Sequence, residues 1–422
     1  MIRHRFLDGS AAALETTGSP VSEILLRLKP REDRRLRAGH LWIYSNEIDT
    51  ARTPLKSIPP GSLCRIEDAR GAPLGTAYVN PHALLCARLL SSRCPARIDA
   101  DWFARRLHAA LALREKIYAQ PYYRLVYGES DGLPGLVVDR YGDVLVVQIA
   151  TAGMEALKPV LLDALQRALA PRGILLRNDG GAREAEDLPR YVESLGEVPD
   201  TLSLEEGGIR FELAPRTGQK TGWFYDQRDN RDRLARYAQG ARVLDVFSYA
   251  GAWALRAHGC GARALTCVDS SAPALEAATR NAQLNGARLE TLRGEALDVL
   301  QALAAEGRRF ELVILDPPAL IKRAKDHAAG LSLYARLNRA ALKLLAPGGF
   351  IVSCSCSQAL AAEELQRVLL RESRALGRRL SILEQGGQGP DHPVHPAIPE
   401  TRYLKAYFGA LRDDGFRDAR IV

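Results

Sequence analysis

No apolar run in these 422 residues approaches the length of a membrane span, and the opening Met1-Ile2-Arg3-His4-Arg5 leads into no signal-peptide core. No membrane partner is expected, and the cytoplasm is the expected compartment. There is no CxxC pair and no cysteine–histidine group at zinc spacing. Cys64, Cys86, Cys94, Cys260, Cys267, Cys354 and Cys356 are scattered and odd in number. No metal is therefore expected, and the thiols should be free in a reducing environment. No internal repeat is visible, which sets solenoid architectures aside. What is present is 46% hydrophobic and 26% charged, enough for ordinary cores in two or three domains. The formal net charge is +8, and residues 1–120 carry most of it, with 19 Lys/Arg against 12 Asp/Glu. Arg27, Lys29, Arg31, Arg34, Arg35 and Arg37 crowd one short stretch. Such a run is a solvated face by default and a polyanion site in the right company.

Residues 1–22 read as a flexible leader. From Ile24 to Ile98 short strands and turns follow one another, with Gly61–Asp68 and Leu74–Val79 paired through a turn at Arg70-Gly71. This reads as a small β-rich barrel. A helix is expected over 99–118, then strands at Tyr123–Tyr127, Gly135–Asp139 and Val144–Ile149, a helix at Met154–Leu169 and a strand at Gly173–Arg177, with one more strand to complete the unit. Residues 180–200 read as an acidic, glycine-rich linker. Beyond Gly240 strands and helices alternate (Arg242–Val246, Ala252–His258, Ala264–Val268, Ala272–Leu284, Phe310–Leu315, Tyr334–Leu345, Gly349–Ser353, Ala361–Ala375), the pattern of a parallel sheet wrapped by helices.

Three strand ends carry candidate chemistry. Val243-Leu244-Asp245-Val246-Phe247-Ser248-Tyr249-Ala250-Gly251 passes from a buried strand through a turn into a helix; Asp245 suits a cationic amine, and Gly251 a close backbone approach. The next strand ends at Asp269, placed for a ribose. The loop is not G-x-G-x-x-G and no base replaces Asp269, so S-adenosylmethionine fits better than a dinucleotide. Glu295, at the end of a third strand, is a candidate for the adenine side. Leu315-Asp316-Pro317-Pro318-Ala319 fixes an acid at a strand tip, where it can grip the edge of a base. Ala319 stands where enzymes that methylate amino groups usually stack an aromatic ring, which argues against that chemistry. In Ser353-Cys354-Ser355-Cys356-Ser357 the two thiols share one face of an extended strand, so periodicity does not separate them. Cys354 has the ordinary reading of a core residue, whereas Cys356 lies nearer the open edge. A thiolate adding to carbon 6 of a pyrimidine makes carbon 5 nucleophilic enough to take a methyl group.

Lys220-Thr221-Gly222-Trp223-Phe224-Tyr225-Asp226-Gln227-Arg228-Asp229-Asn230-Arg231, then Asp245 to Gly251, Asp316-Pro317-Pro318 and Ser355-Cys356-Ser357, in this order, resemble the bacterial class I 23S rRNA 5-methylcytosine methyltransferases. Arg37-Ala38-Gly39-His40-Leu41-Trp42 looks like the opening of their PUA domain, and Gly128 to Leu136 like their connecting domain. The resemblance implies an α/β fold with a flexible leader (1–22), a small β-barrel PUA RNA-binding domain (23–98), an α+β connecting domain (99–205) and a Rossmann-like methyltransferase domain (206–422). It implies Cys356 as nucleophile with Asp316 in catalysis. S-adenosylmethionine is then held by Gln227, Arg228, Asp245, Phe247, Tyr249, Gly251, Asp269, Glu295 and Asp316, and RNA by Lys29, Arg31, Arg35, Arg37, His40 and Trp42. The expected partner is large-subunit rRNA, with a homodimer as one option. Pro318-Ala319 lacks the second cysteine of another group of RNA cytosine methyltransferases, so a single-cysteine cycle is implied. The alternatives are guanine-N7 methylation of rRNA, or a non-catalytic assembly protein with a vestigial cofactor site.

Overall fold

The computed structural model describes residues 19–20, 24–95 and 97–412. The chain divides into two compact units: Met1–Ala109 with Ala150–Pro171 and Glu184–Leu188, and Ala110–Ile149 with Arg172–Arg183 and Pro189–Val422. Residues 99–205, expected as a connecting domain, are thus shared between the two.

In the first unit five short strands form one sheet in the order Leu25–Arg27, Leu63–Glu67, Pro73–Val79, Ala87–Ser91, Trp42–Ile43. Leu63–Glu67 and Pro73–Val79 pair antiparallel, with Cys64 opposite Ala77. Asp68 closes their turn by accepting from the N–H groups of Arg70 and Ala72, both at 2.9 Å. Inward side chains (Leu26, Ile43, Cys64, Ile66, Ala77, Val79) form its core. Of the expected leader, only Ser19–Pro20 lies within the described residues, paired antiparallel with Arg97–Ile98. The expected helix over 154–169 is two, Ala152–Ala156 and Lys158–Leu169, because Pro159 cannot donate back into a continuous helix.

In the second unit a mixed sheet runs Tyr191–Gly196, Gly173–Asn178, Val144–Ile149, Leu136–Tyr141, Tyr122–Tyr127. The linker reading of 180–200 is corrected: Tyr191–Gly196 is an edge strand along Gly173–Asn178. Its side chains are mostly exposed, so no apolar alternation betrayed it.

The larger sheet follows the order Glu290–Arg293, Ala264–Asp269, Arg242–Val246, Phe310–Leu315, Leu345–Ser355, Lys405–Arg412, Arg379–Gly386. The first five are parallel, and Lys405–Arg412 runs antiparallel to both its neighbours. Alternate residues of these strands face opposite layers, as a pleated strand requires. Val243, Cys267, Ile314 and Cys354 pack with Trp253, Leu255 and Leu275 from helices Ala252–Gly259 and Ala272–Leu284. Leu244, Val268, Val313 and Ile351 pack with Leu300, Leu337 and Leu365 from Ala296–Ala305, His327–Leu344 and Ala362–Ala375. The helix expected from Tyr334 begins at His327. Gly330 obscured its first two turns, and it is needed there because a Cβ would lie 2.4 Å from Ile321 Cγ1. Strand order reverses between Arg242–Val246 and Phe310–Leu315, and open α/β sheets bind ligands at the carboxyl ends of strands beside such a reversal.

Candidate active site

A cavity of about 670 Å³ opens at those strand ends, with Phe247, Ser248, Tyr249, Asp269, Glu295, Asp316, Pro317, Pro318 and Cys356 on its wall. The Thr221–Arg231 segment supplies another side, including Trp223, Phe224, Asp226 and Gln227.

Asp316 ends its strand under the stiff Pro317-Pro318 turn. Gln227 Nε2 donates to its Oδ1 at 2.8 Å and Trp253 Nε1 to its Oδ2 at 3.0 Å, fixing the carboxyl plane. Burial pushes its pKa up to about 6; the Trp253 bond opposes the rise and nearby Asp226 adds to it. The two thiols separate because the strand stops at Ser355. Cys354 is wholly buried in the core layer. Cys356, one residue past the strand, escapes the two-residue alternation and turns to the cavity, its Sγ 3.8 Å from the Pro317 carbonyl. Burial and then the Asp316 charge push the Cys356 thiol up to about 11, while the Lys220 ammonium pulls it down.

Asp269 accepts from Tyr249 N at 3.0 Å and from Ser271 N at 2.9 Å, so the loop and the next helix are built around it. Phe247 and Tyr249 are non-glycine residues with φ of 66° and 48°. Such backbone costs about 1–3 kcal/mol per residue and persists where its surroundings over-determine it, often at ligand sites.

The Thr221–Arg231 segment is held from behind. Glu206, 4% exposed, accepts from Arg231 Nε at 2.5 Å, Arg231 Nη2 at 2.7 Å and Trp223 Nε1 at 3.1 Å. Thr221 Oγ1 donates to Asp139 at 2.5 Å. Burial would raise the Glu206 carboxyl, but Arg231 outweighs it and keeps the pKa below the ordinary value.

An α/β switch-point cavity with acids at successive strand ends and a thiol on its wall narrows the field to ligand chemistry at a nucleoside-bearing cofactor. Residues 189–405 match the S-adenosylmethionine-dependent methyltransferase family, and residues 26–92 a PUA-like domain. The chain belongs to this methyltransferase family. The Ribosomal RNA large subunit methyltransferase I of Erwinia tasmaniensis is 36% identical over 91% of this chain and 98% of its own length. A ribosomal RNA large subunit methyltransferase of Deinococcus radiodurans is 36% identical over 94% and 99%. In three dimensions the chain is similar to a Streptococcus mutans protein assigned as a SAM-dependent methyltransferase (TM-score 0.77, 19% identity, 92% of this chain and 100% of that one). It is also similar to SMU.776, solved with SAH (TM-score 0.78, 20% identity, 92% and 100%).

The methyltransferase cavity fits this cofactor by its own chemistry. The buried Ser248 Oγ on the wall has no hydrogen-bond partner, and Asp269 and Glu295 offer carboxylates for hydroxyl and amine donors. Of the residues expected to hold the cofactor, Gln227, Phe247, Tyr249, Asp269, Glu295 and Asp316 line the cavity. Arg228, Asp245 and Gly251 do not. Arg228 points away: its Nε lies 3.5 Å from Glu206, it donates to the Tyr122 carbonyl, and its guanidinium lies 4.5 Å from the Tyr118 ring centroid. Asp245 sits below the loop, accepting from Ala254 N at 3.1 Å and so capping helix Ala252–Gly259, with its Oδ1 unpartnered. Burial raises the Asp245 carboxyl to about 7. Gly251, at φ +80°, starts the same helix, and a Cβ there would lie 3.1 Å from Ala278 Cβ.

Sequence reasoning gave no role to Lys220, Asp226, Trp253, Glu206 or Tyr403. Only Trp253 carried a usable signal, as an indole one turn into the helix that follows the cofactor loop. In the first unit, the basic cluster stands partly on its own ion pairs. Arg35 Nη2 meets Glu47 at 2.5 Å, and Arg37 meets Asp33 at 2.5 Å and Asp68 at 2.9 Å. Lys29 Nζ donates to the Asn46 carbonyl at 2.7 Å, and the His40 and Trp42 rings meet edge to face at 5.6 Å. Among the described residues Arg31 and Arg34 are exposed and have no carboxylate partner.

Proposed function

We propose that the protein methylates carbon 5 of a cytosine in large-subunit rRNA through a covalent adduct with Cys356. The observation that carries this reading is a thiol on the wall of the methyltransferase cavity, beside the Pro317 carbonyl and the fixed carboxyl of Asp316. The relatives' names support the rRNA substrate, and the exposed Arg31 and Arg34 suit phosphate contacts.

At neutral pH a thiol raised to about 11 is protonated, and the Lys220 ammonium, which lowers it, favours the reactive thiolate. The thiolate adds to carbon 6, and the electron density reaches carbon 5. S-adenosylmethionine, when bound, supplies the electrophilic methyl group. Transfer of the carbon-5 proton to a solvent base, with the C–H electron pair re-forming the ring double bond and expelling the Cys356 thiolate, restores the ring. Asp316, held by Gln227 and Trp253, stays a fixed part of the cavity wall that also carries Cys356 throughout.

Large-subunit rRNA transcripts containing 5-fluorocytidine test this, because fluorine cannot leave as a proton does. Incubated with enzyme and cofactor, they are expected to give a denaturant-stable adduct that disappears in Cys356→Ala. The same variant should lose methyl transfer by on the order of 10^4-fold or more. Methyl transfer without an adduct, and unchanged in Cys356→Ala, would replace this reading with guanine N7, which is nucleophilic without a thiol.

A further inference from the structure

We infer that Asp226, held from behind by Tyr403, is the residue that selects cytosine over uracil by accepting a hydrogen bond from the exocyclic amine of the target base. The inference rests on the carbon-5 reading above and adds a specificity determinant to it.

Asp226 and Tyr403 both line the cavity that holds Cys356 and Asp316. Asp226 is 5% exposed, its Oδ2 accepts from the Tyr403 hydroxyl at 2.5 Å, and its Oδ1 is buried without a partner. A carboxylate oxygen screened from water and left unpaired is costly, so each such group calls for an explanation. The neighbouring acid is different: both oxygens of Asp316 already accept from Gln227 and Trp253. Of the two cavity acids near the thiol, Asp226 is therefore the one with acceptor capacity to spare.

The carboxylate is kept charged. Burial raises its pKa, but His392, Lys220, the Tyr403 hydroxyl and Arg124 together hold it below the ordinary value. The Asp226 charge also acts on both Asp316 and Cys356, with which it lines the same cavity. An ionised carboxylate only accepts. Cytosine presents an amino donor at carbon 4, whereas uracil presents a carbonyl oxygen there, which the carboxylate repels. A site built around one hydrogen bond rejects the analogue lacking it far more strongly than an apolar pocket does.

The wild-type 5-fluorocytidine adduct first maps the target nucleotide. Short transcripts then carry 5-fluorocytidine or 5-fluorouridine at that position, and adduct rates are compared for wild type, Asp226→Asn and Tyr403→Phe. In Asp226→Asn an amide whose oxygen keeps the Tyr403 bond turns its NH2 to the cavity, toward the uracil oxygen and against the cytosine amine. The expected result is a cytidine adduct slowed by roughly 100-fold and a cytidine-to-uridine rate ratio at least about tenfold lower. Tyr403→Phe keeps the carboxylate, so it should slow the cytidine adduct by about tenfold with cytidine still preferred. Calorimetry with S-adenosylmethionine should give the same affinity for both variants as for wild type. A tenfold weaker cofactor affinity in Asp226→Asn would assign the carboxylate to the cofactor amine and overturn the inference. An unchanged ratio with a wild-type adduct present would overturn it alone. No wild-type adduct would overturn the carbon-5 reading and this inference with it. Were Asp226→Asn not to fold, a Tyr403→Phe enzyme with wild-type adduct rates would also be contrary.

Discussion

The basic cluster of the first unit and the cavity of the second treat charge in opposite ways. Around Arg27–Arg37 three of the six cations have a carboxylate of their own: Arg27 with Glu67 at 2.8 Å, Arg35 with Glu47, Arg37 with Asp33 and Asp68. Such partly exposed pairs are worth about 0–1 kcal/mol each and chiefly position a surface. In the second unit Asp226 and Asp245 each keep a buried oxygen with no partner. The contrast separates two meanings of a charged residue in a sequence. A paired surface charge shapes the fold's exterior, whereas an unpaired buried one keeps acceptor capacity that its own neighbours leave unused.

The strongest challenge to this contrast is Glu206, a buried acid that is fully paired. If pairing is what makes a buried charge structural, Glu206→Ala leaves the Arg231 guanidinium uncompensated and should lower stability by about 3–5 kcal/mol in urea unfolding. A loss below about 0.5 kcal/mol would mean that Glu206 does not hold the Thr221–Arg231 segment. A smaller effect sharpens the other side of the contrast. Arg31→Ala with Arg34→Ala removes two unpaired cations, so the slope of log affinity against log salt for rRNA should flatten by about 1.4–1.8. Arg37→Ala, which removes a paired one, should change it much less; equal changes would erase the distinction. The smallest effect concerns Asp245. Its folded-state pKa of about 7 lies above the ordinary carboxylate value, so the native state holds a proton that the unfolded chain releases. Stability from this group is present at pH 4 and is lost as pH rises toward 7. Asp245→Asn should therefore gain in Tm relative to wild type between pH 4 and pH 8, and a pH-independent difference would refute the raised value.

The strands Arg242–Val246 and Phe310–Leu315 were legible because both faces are largely buried, which leaves Val243-Leu244 and Leu312 to Leu315 as apolar runs in the sequence. Tyr191–Gly196 was not, since an edge strand with Glu193 and Ser194 on its surface carries no such pattern. The site was legible to the extent that it lies at strand ends, as with Asp269, Asp316 and Cys356. Arg228 was misplaced because the acid that claims it, Glu206, lies 22 residues upstream. Asp226 had no role in the reading because the tyrosine that buries and orients it lies 177 residues away. Cys356 was chosen by its place near the strand end, but the reason it differs from Cys354 is a strand boundary that periodicity does not reveal.

Lys405–Arg412 lies between Leu345–Ser355 and Arg379–Gly386, although it is the latest of the three to leave the ribosome. Arg379–Gly386 therefore has no neighbour to join until the later strand arrives, and Tyr403 reaches the cavity only with it. The segments of the first unit end at Leu188. At about 5–20 residues per second, roughly 10–40 s of translation separate that point from Tyr403. A nascent chain thus owns its basic unit well before its methyl-transfer cavity has a complete wall.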